Sequence, residues 1–561
     1  MQPMKATWPY NARCCDLDGL AVLAHVCRRK AELETGEDQT TPPQYATLKG
    51  THSSPKAVTR RTFSLTLAGT TIAASTRSTT RSTASPLTLT EASESLRRRA
   101  ITSEQIVEQC LAQIDALNPK VNAFITVLHA EARRQAQQLD AERKAGRDRG
   151  PLHGIPIALK DNIDTANIRT TAGSQLYEDR IPTANAEVVN RLISAGAVLI
   201  GKTNLHEFAF GGTSATSFYG PVRNSWNLAF TSGGSSGGSA VAVATGMCLA
   251  AIGTDTGGSI RTPASHCGVS GLKPTYGAVS VSGIIPLAPS LDHCGPICRT
   301  AQDAAVLFNE IAGYDPRDPY SSEQARAADL STLNQSCAHL RLGVPRAPFF
   351  DLLDPAVATA VEQAITVLHQ IVGSVQEVTL PAVSSVDTEA IVGAEEFAFH
   401  QESFLRARGH YMRQTQQILA AAQNVSAAEY IRSRAQLLEL RRRIDAAFSN
   451  VDLVVLPTRR HNPRTLESAL SREASMPSVE PESDNTAAFD AYGIPALSIP
   501  CGFTPQGLPI GLTIAGRRWA ESSVLALAHA YQQRSDWHLR YPPLDAGTTV
   551  PALPALDTRF Q

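Results

Sequence analysis

A regular pattern of apolar and polar positions begins near residue 86 and continues through most of the chain. Apolar residues recur at helical spacing over residues 106–117, and this stretch follows Thr102 and Gln105, which have the spacing of a capping box. The pair Asn118-Pro119 comes directly afterwards. We therefore expect an amphipathic helix that ends at this pair, because proline usually terminates helices.

Short apolar runs then alternate with longer segments of helical periodicity. This alternation favours the α/β class: one large domain over residues 86–545, with a mixed β-sheet covered by helices on both faces, followed by a tail over 546–561. The predicted strands are 155–160, 197–201, 250–253, 277–281, 340–344, 453–456, 496–499 and 511–515. The predicted helices beyond the first are 130–144, 188–195, 239–249, 355–371, 395–408, 427–448 and 522–533.

Residues 1–85 lack this periodicity and indicate a disordered leader, with a low-complexity stretch over 75–85. Within the leader, Thr59-Arg60-Arg61-Thr62-Phe63 precedes a mildly apolar run, so residues 59–75 look like a twin-arginine export signal. Such a signal belongs at an N-terminus, and a GUG start codon at Val58 would place it there. The alternative is a plain arginine-containing leader. Location is therefore either cytoplasmic or exported, and N-terminal sequencing of the native protein would distinguish the two.

Composition removes several classes of function. The net charge of −1 and the lack of a long basic tract give no reason to expect nucleic-acid binding, and no apolar run is long enough to span a membrane. The 10 cysteines show no Cys-x-x-Cys pair, and neither a His-Glu-x-x-His motif nor a phosphate-binding Gly-Lys-Ser/Thr motif occurs. We therefore expect no metal and no organic cofactor.

Two Gly/Ser-rich segments, 232–239 and 253–261, carry the candidate chemistry. Gly/Ser runs are usually flexible loops, but these two lie inside apolar sequence rather than in a polar linker. Glycine allows close backbone approach, and successive N–H groups in such a turn can converge on an anion. A hydroxyl nucleophile beside backbone amides is what acyl transfer requires.

A serine nucleophile also needs a base, and Lys160 is the stronger candidate. It ends an apolar strand, where an ordinary lysine would extend into solvent, but a poorly hydrated lysine has a lowered pKa and can act as a neutral base. The sequence shows no Gly-x-Ser-x-Gly elbow, so structural roles are expected for the candidate histidines. These are His153, His206, His266 and His293.

At these segments the chain resembles the amidase signature family. The resemblance extends over about residues 86–545 and includes motifs in the order and spacing of that family. The motifs are residues 154–162, 233–238, 253–261, 267–277, 290–296, 452–458 and 493–502.

The resemblance implies a Ser-Ser-Lys trio: Ser259 as the nucleophile, Ser235 as a relay that follows a cis peptide bond, and Lys160 as the general base. It also implies supporting roles, with Ser236 beside the relay and with Asp255 and Arg261 holding the loop in shape. The implied oxyanion hole consists of the backbone amides of Thr256, Gly257, Gly258 and Ser259.

The activity implied is hydrolysis of a small-molecule carboxylic amide to an acid and ammonia or an amine. A stand-alone amidase is the first interpretation. The export-like leader and residues 284–290 and 313–319, which look more like free amidases, favour it over the glutaminase component of a glutamyl-tRNA amidotransferase. A catalytically inactive scaffold is a third hypothesis.

Substrate identity stays open, and a homodimer is compatible with the resemblance. In the family the pocket varies mostly around residues 380–450 and in the loops near 208–219. Side chains in the first region are interpreted as core or helix surface more often than as pocket. They are Glu395, Phe397, Phe399, His400, Phe404 and Tyr411.

Overall fold

A computed structural model describes residues 86–475 and 485–553 of the chain. The predicted leader over 1–85, with its twin-arginine-like segment, lies outside the described residues, as does the end of the predicted tail. The described residues belong to one unit, Thr83–Gln561.

One mixed β-sheet of 11 strands forms the centre of this unit. Apolar runs become strands because their side chains are buried against helices, and β2, β3, β4, β6 and β9 are buried along their whole length. The strands are β1 (Phe124–Val127), β2 (Pro156–Lys160), β3 (Val198–Thr203), β4 (Ala250–Asp255), β5 (Ser270–Lys273), β6 (His293–Cys298), β7 (Arg341–Val344), β8 (Ser374–Glu377), β9 (Leu453–Pro457), β10 (Ala496–Phe503) and β11 (Pro509–Gly516).

The strand order is β1-β3-β2-β4-β6-β5-β10-β11-β9-β7-β8. Strand β2 runs parallel to both β3 and β4, whereas β4 pairs antiparallel with β6. Because β2 and β4 are parallel neighbours, their carboxyl ends lie at the same edge of the sheet. That edge places Lys160 close to Asp255 and to the loop that follows it.

Helices flank the sheet, which confirms the predicted fold class. The described helices are α1 (Leu89–Arg97), α2 (Ser103–Val121), α3 (His129–Lys144), α4 (Glu187–Ser194), α5 (Gly237–Ala244), α6 (Arg261–Cys267), α7 (Ala301–Ile311), α8 (Arg346–Phe349), α9 (Pro355–His369), α10 (Thr388–Ala407), α11 (Arg413–Ala422), α12 (Ala427–Arg443), α13 (Leu466–Ser475), α14 (Ala487–Tyr492) and α15 (Glu521–Gln532).

Helices α5 and α6 matter most for the site. All residues of α5 are buried, and it packs on β2 and β4. Gly238 permits this packing, because a Cβ there would lie 2.4 Å from the carbonyl oxygens of Ala123 and Asn204. Helix α6 packs on β5, β10 and β11. The two Gly/Ser-rich segments are thus held at the amino ends of two buried helices.

The predicted end of the first helix was wrong by a few residues. The capping box of Thr102 and Gln105 is present, but α2 continues through Pro119 to Val121. Proline near the last turn removes only its own N–H donor. The helix ends instead at Asn122, which has a left-handed φ of 54° and donates its N–H to the Asn118 carbonyl at 2.8 Å.

The predicted strand at 277–281 was also wrong. This stretch is a loop, in which the Ala278 amide closes a turn on Thr275 and the Val281 amide donates to the carboxylate of Asp318. Its backbone is satisfied by a turn and a side chain, so it needs no neighbouring strand. Strands β5 and β6 were not predicted, because their short sequences contain glycine and proline.

Candidate active site

Lys160 ends β2 and is fully buried. Its Nζ lies 2.7 Å from Ser235 Oγ and 2.6 Å from Thr254 Oγ1. Burial lowers the pKa of this amine to about 7, against the smaller opposing effects of the carboxylates of Asp255 and Asp292. A substantial fraction of the side chain is therefore neutral near pH 7, as a general base requires.

Two other buried lysines end neighbouring strands but have different partners. Lys202 pairs with the carboxylate of Asp161 at 3.1 Å. Lys273 donates to the backbone carbonyls of Pro274 and Ile494. Of these three lysines only Lys160 contacts a serine hydroxyl among the described residues, so geometry separates it from its neighbours.

Ser235 lies just before α5 and is fully buried. The Gly234-Ser235 peptide bond is cis. The Ser235 carbonyl accepts hydrogen bonds from the His206 amide and the Ser214 hydroxyl, both at 3.2 Å. Gly234 has no room for a side chain, because a Cβ would lie 2.6 Å from the Ser214 amide nitrogen. The backbone is thus fixed from both sides, with the Ser235 hydroxyl directed at Lys160.

Ser259 lies in the loop between β4 and α6 and lines a large cavity. Its carbonyl accepts from the Ser236 amide at 3.2 Å, and Ser236 Oγ in turn lies 3.2 Å from the Thr254 carbonyl. Ser236 therefore joins the two Gly/Ser-rich segments. The Ser259 hydroxyl itself makes no hydrogen bond within the described part of the chain, so the observed hydrogen-bonded line runs from Lys160 to Ser235.

The loop from Asp255 to Arg261 is built around a buried ion pair. The Asp255 carboxylate accepts from Arg261 Nε at 2.9 Å and from the Ile260 amide at 3.1 Å. Arg261 Nη2 also donates to Asp490 Oδ2 at 2.6 Å. The arginine holds the pKa of the Asp255 carboxyl well below its usual range despite the burial. The loop is therefore shaped by a permanent charge pair.

One of the four amides proposed for the oxyanion hole is already engaged. The Gly258 amide donates to Asp255 Oδ1 at 2.5 Å, and the backbone there has a φ of 131° that favours glycine. The amides of Thr256, Gly257 and Ser259 have no hydrogen bond to any described residue. Three free donors, rather than the four expected, lie at the cavity side of the loop.

Replacing Arg261 with methionine is expected to destabilise the fold by about 3–5 kcal/mol, because it leaves Asp255 and Asp490 buried without their partner. Thermal and denaturant unfolding of the purified variant would measure this loss. The matched control is Arg98→Met, which removes an exposed i,i+4 pair with Glu94 and should change stability little. Equal effects of the two substitutions would contradict a structural role for the buried pair.

Two residues of this site were missed by the sequence reasoning. Thr254, which contacts Lys160, belongs to the quoted segment 253–261, and its hydroxyl at a strand end was an available signal. Asp490 lies 229 residues from Arg261 and carries no local pattern. Only the fold brings these two charges together.

The candidate histidines do not hydrogen bond to the Ser235 or Ser259 hydroxyls in the part of the chain described here. His153 Nε2 contacts the Leu139 carbonyl, and His206 Nε2 contacts Gln414. Burial lowers the pKa of His266 to about 3 and that of His293 well below its usual value. These contacts agree with the structural roles expected for them.

The cavity beside Ser259 has a volume of about 990 Å³. Its wall combines the Gly/Ser loop with α10, α11 and the segment around residues 379–384. The aromatic residues considered in the sequence lie elsewhere: His400 and Tyr411 pack against Phe208 in a separate apolar cluster. The apolar side chains of the cavity wall include Leu287, Leu291, Val392, Ile418, Val425 and Tyr492.

Metal clusters and membrane-spanning helices are not found in the described residues. Within residues 86–475 and 485–553, no group of three or more His, Cys, Asp or Glu side chains is arranged to hold a metal ion. Among the helices described, none is both long and apolar enough to cross a membrane.

Known proteins share both the sequence and the fold of this chain. The family model described as Amidase matches residues 105–525. The A-type subunit of the glutamyl-tRNA(Gln) amidotransferase of Roseiflexus sp. (strain RS-1) is 40% identical over 484 residues, covering 82% of this chain and 98% of that protein.

Solved structures are similar as well. Native peptide amidase from Stenotrophomonas maltophilia has 32% identity and a TM-score of 0.71, and the match covers 82% of this chain and 98% of that one. A structure described as a vestigial protein complex that reveals the origins of an s-triazine catabolic enzyme has 29% identity and a TM-score of 0.75, covering 80% of this chain and 99% of that one.

Proposed function

The chain belongs to the amidase family and is an enzyme that hydrolyses amide C–N bonds, and from this we propose that it acts through an acyl-enzyme on Ser259. The observation that carries the proposal is the 2.7 Å contact between Lys160 and Ser235, next to a serine that opens onto a cavity. A buried amine with a lowered pKa, a hydroxyl and free backbone amides are the components of metal-free acyl transfer.

The first step transfers two protons along one line. Neutral Lys160 accepts the Ser235 proton while Ser235 accepts the proton of Ser259, whose oxygen attacks the amide carbonyl. Thr254 accepts one N–H of the amine and so orients the amine lone pair toward Ser235. The hydrogen bond from Ser259 to Ser235 forms when substrate is bound, since catalytic contacts commonly tighten in the substrate complex.

The tetrahedral oxyanion is then held by the amides of Thr256, Gly257 and Ser259. Each preorganised donor contributes about 3 kcal/mol to stabilising the transition state. The Gly258 amide, bound to Asp255, positions the loop instead, together with Arg261. The proton on Lys160 returns through Ser235 to the leaving amine, and water then releases the acid from Ser259 by the same relay.

Two substrate classes fit this chemistry. The size and apolar wall of the cavity favour a stand-alone amidase that takes an amide larger than glutamine. The second candidate is the glutamine-hydrolysing component of an amidotransferase. The curated relatives favour this candidate over the first, because a protein of that name matches 82% of the chain at 40% identity.

A substrate panel separates the two candidates. The chain purified alone should hydrolyse aryl, longer aliphatic or peptide amides with a kcat/KM about tenfold or more above that for glutamine, because an apolar pocket discriminates by the area it buries. Ser259→Ala provides the background rate. Glutamine as the best substrate, together with activity that requires a second co-purified protein, would support the second candidate. No turnover of any amide and no fluorophosphonate adduct at Ser259 would contradict both.

A further inference from the structure

Glu396 lies on the inner face of α10, where it forms part of the cavity wall. Its neighbours in the wall, Glu389, Val392 and Gly393, are spaced as one helix face. Only 2% of Glu396 is exposed. A carboxyl group is thus set into an otherwise largely apolar part of the wall that also contains Ser259.

This carboxyl group has no partner. Within the described residues it makes no hydrogen bond and no ion pair, and burial raises its pKa well above the usual range with no nearby charge acting on it. Buried polar groups are nearly always paired, because an unpaired one costs free energy. An unpaired carboxyl that faces a binding cavity is therefore a group whose partner arrives with the ligand.

The charges around the cavity have one dominant sign. The rim carries three exposed acidic residues, Asp387, Glu389 and Glu429, in addition to Glu396 inside. Arg459 is the one basic side chain in the described lining. Acidic groups at the entrance attract cations and repel anions.

We propose that Glu396 is a specificity-determining residue that binds a primary ammonium group of the substrate, remote from the amide that Ser259 attacks. The preferred substrates are then amides of amino acids or diamines that carry a free amino group at the far end of an apolar chain. This inference rests on the proposed hydrolysis at Ser259 and names the substrate class of that site.

The physical basis is a charge-assisted hydrogen bond in an apolar environment. An ammonium donates three N–H groups and would satisfy both carboxylate oxygens of Glu396, which is then ionised by its partner. The alkyl chain would lie along the apolar wall. Glutamine also carries an ammonium, but its own carboxylate would be repelled by the acidic residues of the lining.

The test uses a series of ω-aminoalkanamides of increasing length, each compared with the alkanamide in which a methyl group replaces the ammonium. For one or two lengths we expect a kcat/KM about tenfold or more higher for the amino compound, since a site built for a polar group rejects the analogue that lacks it. Glu396→Gln should remove this preference mainly through a higher KM. Its rate on the methyl compounds should stay close to that of the parent enzyme.

The matched control is Glu389→Gln, which removes an exposed carboxylate from the same helix and should keep the preference. Equal kcat/KM values for amino and methyl compounds in the parent enzyme would overturn the inference, as would a preference that survives in Glu396→Gln. Hydrolysis of both series that is lost in Ser259→Ala would still leave the proposed function in place. Turnover that persists in Ser259→Ala would refute the proposed function instead.

Discussion

Replacing Ser259 with alanine is expected to lower kcat on the best amide substrate by about 10⁴- to 10⁶-fold, the loss expected when a covalent nucleophile is removed. The residual rate would come from substrate binding and the three free amides of the loop. Steady-state kinetics and labelling with a fluorophosphonate measure the two consequences: loss of turnover and loss of the adduct. The variant should fold normally, because the Ser259 hydroxyl makes no hydrogen bond among the described residues.

Ser282→Ala is a suitable control for the Ser259 substitution. Ser282 is partly exposed in a neighbouring loop, and its removal should change neither turnover nor labelling. A Ser259→Ala enzyme that keeps more than about a hundredth of the parent rate would contradict the assignment of the nucleophile.

Replacing Lys160 with methionine is expected to lower kcat by about 10²- to 10⁴-fold, the usual contribution of a general base. The pH dependence gives the sharper result. The lysine must be neutral to accept a proton, and its pKa is lowered to about 7, so the rate of the parent enzyme should fall as the pH drops below 7 and level off above it. The methionine variant should lose this limb of the pH–rate profile.

Lys144→Met removes an exposed lysine at the end of α3 and serves as the matched control, with an unchanged profile expected. A Lys160→Met profile with the same rise near pH 7 as the parent would show that another group accepts the proton. Lys273 would then be the next candidate, because burial also lowers its pKa to about 7.

Local patterns were enough to predict much of the fold. The apolar run before Lys160 predicted β2, and the periodicity of residues 427–448 predicted α12 with its short 3₁₀ extension. These signals are strong because a buried strand or a helix face must be apolar over several consecutive turns or positions. The resemblance of the Gly/Ser-rich segments then pointed to the residues that the fold brings to one edge of the sheet.

Other features depend on contacts between distant residues. Glu396 has the spacing of any helix residue, and only the packing of α10 over the Ser259 loop makes its isolation visible. Asp490 is an ordinary acidic residue until Arg261 is placed beside it. The loss of the Gly258 amide to Asp255 follows from the turn geometry of the loop, which no periodicity encodes.

The contact of Arg261 with Asp490 sets an order of events during synthesis. The charge that shapes the Ser259 loop is balanced by a carboxylate encoded far downstream, and β5 completes its place in the sheet only by pairing with β10. A ribosome that has translated the first 475 residues has therefore supplied all three residues of the trio but not the partners that hold them. We expect nascent chains stalled at that point to be inactive, and activity to emerge only after translation has passed β10.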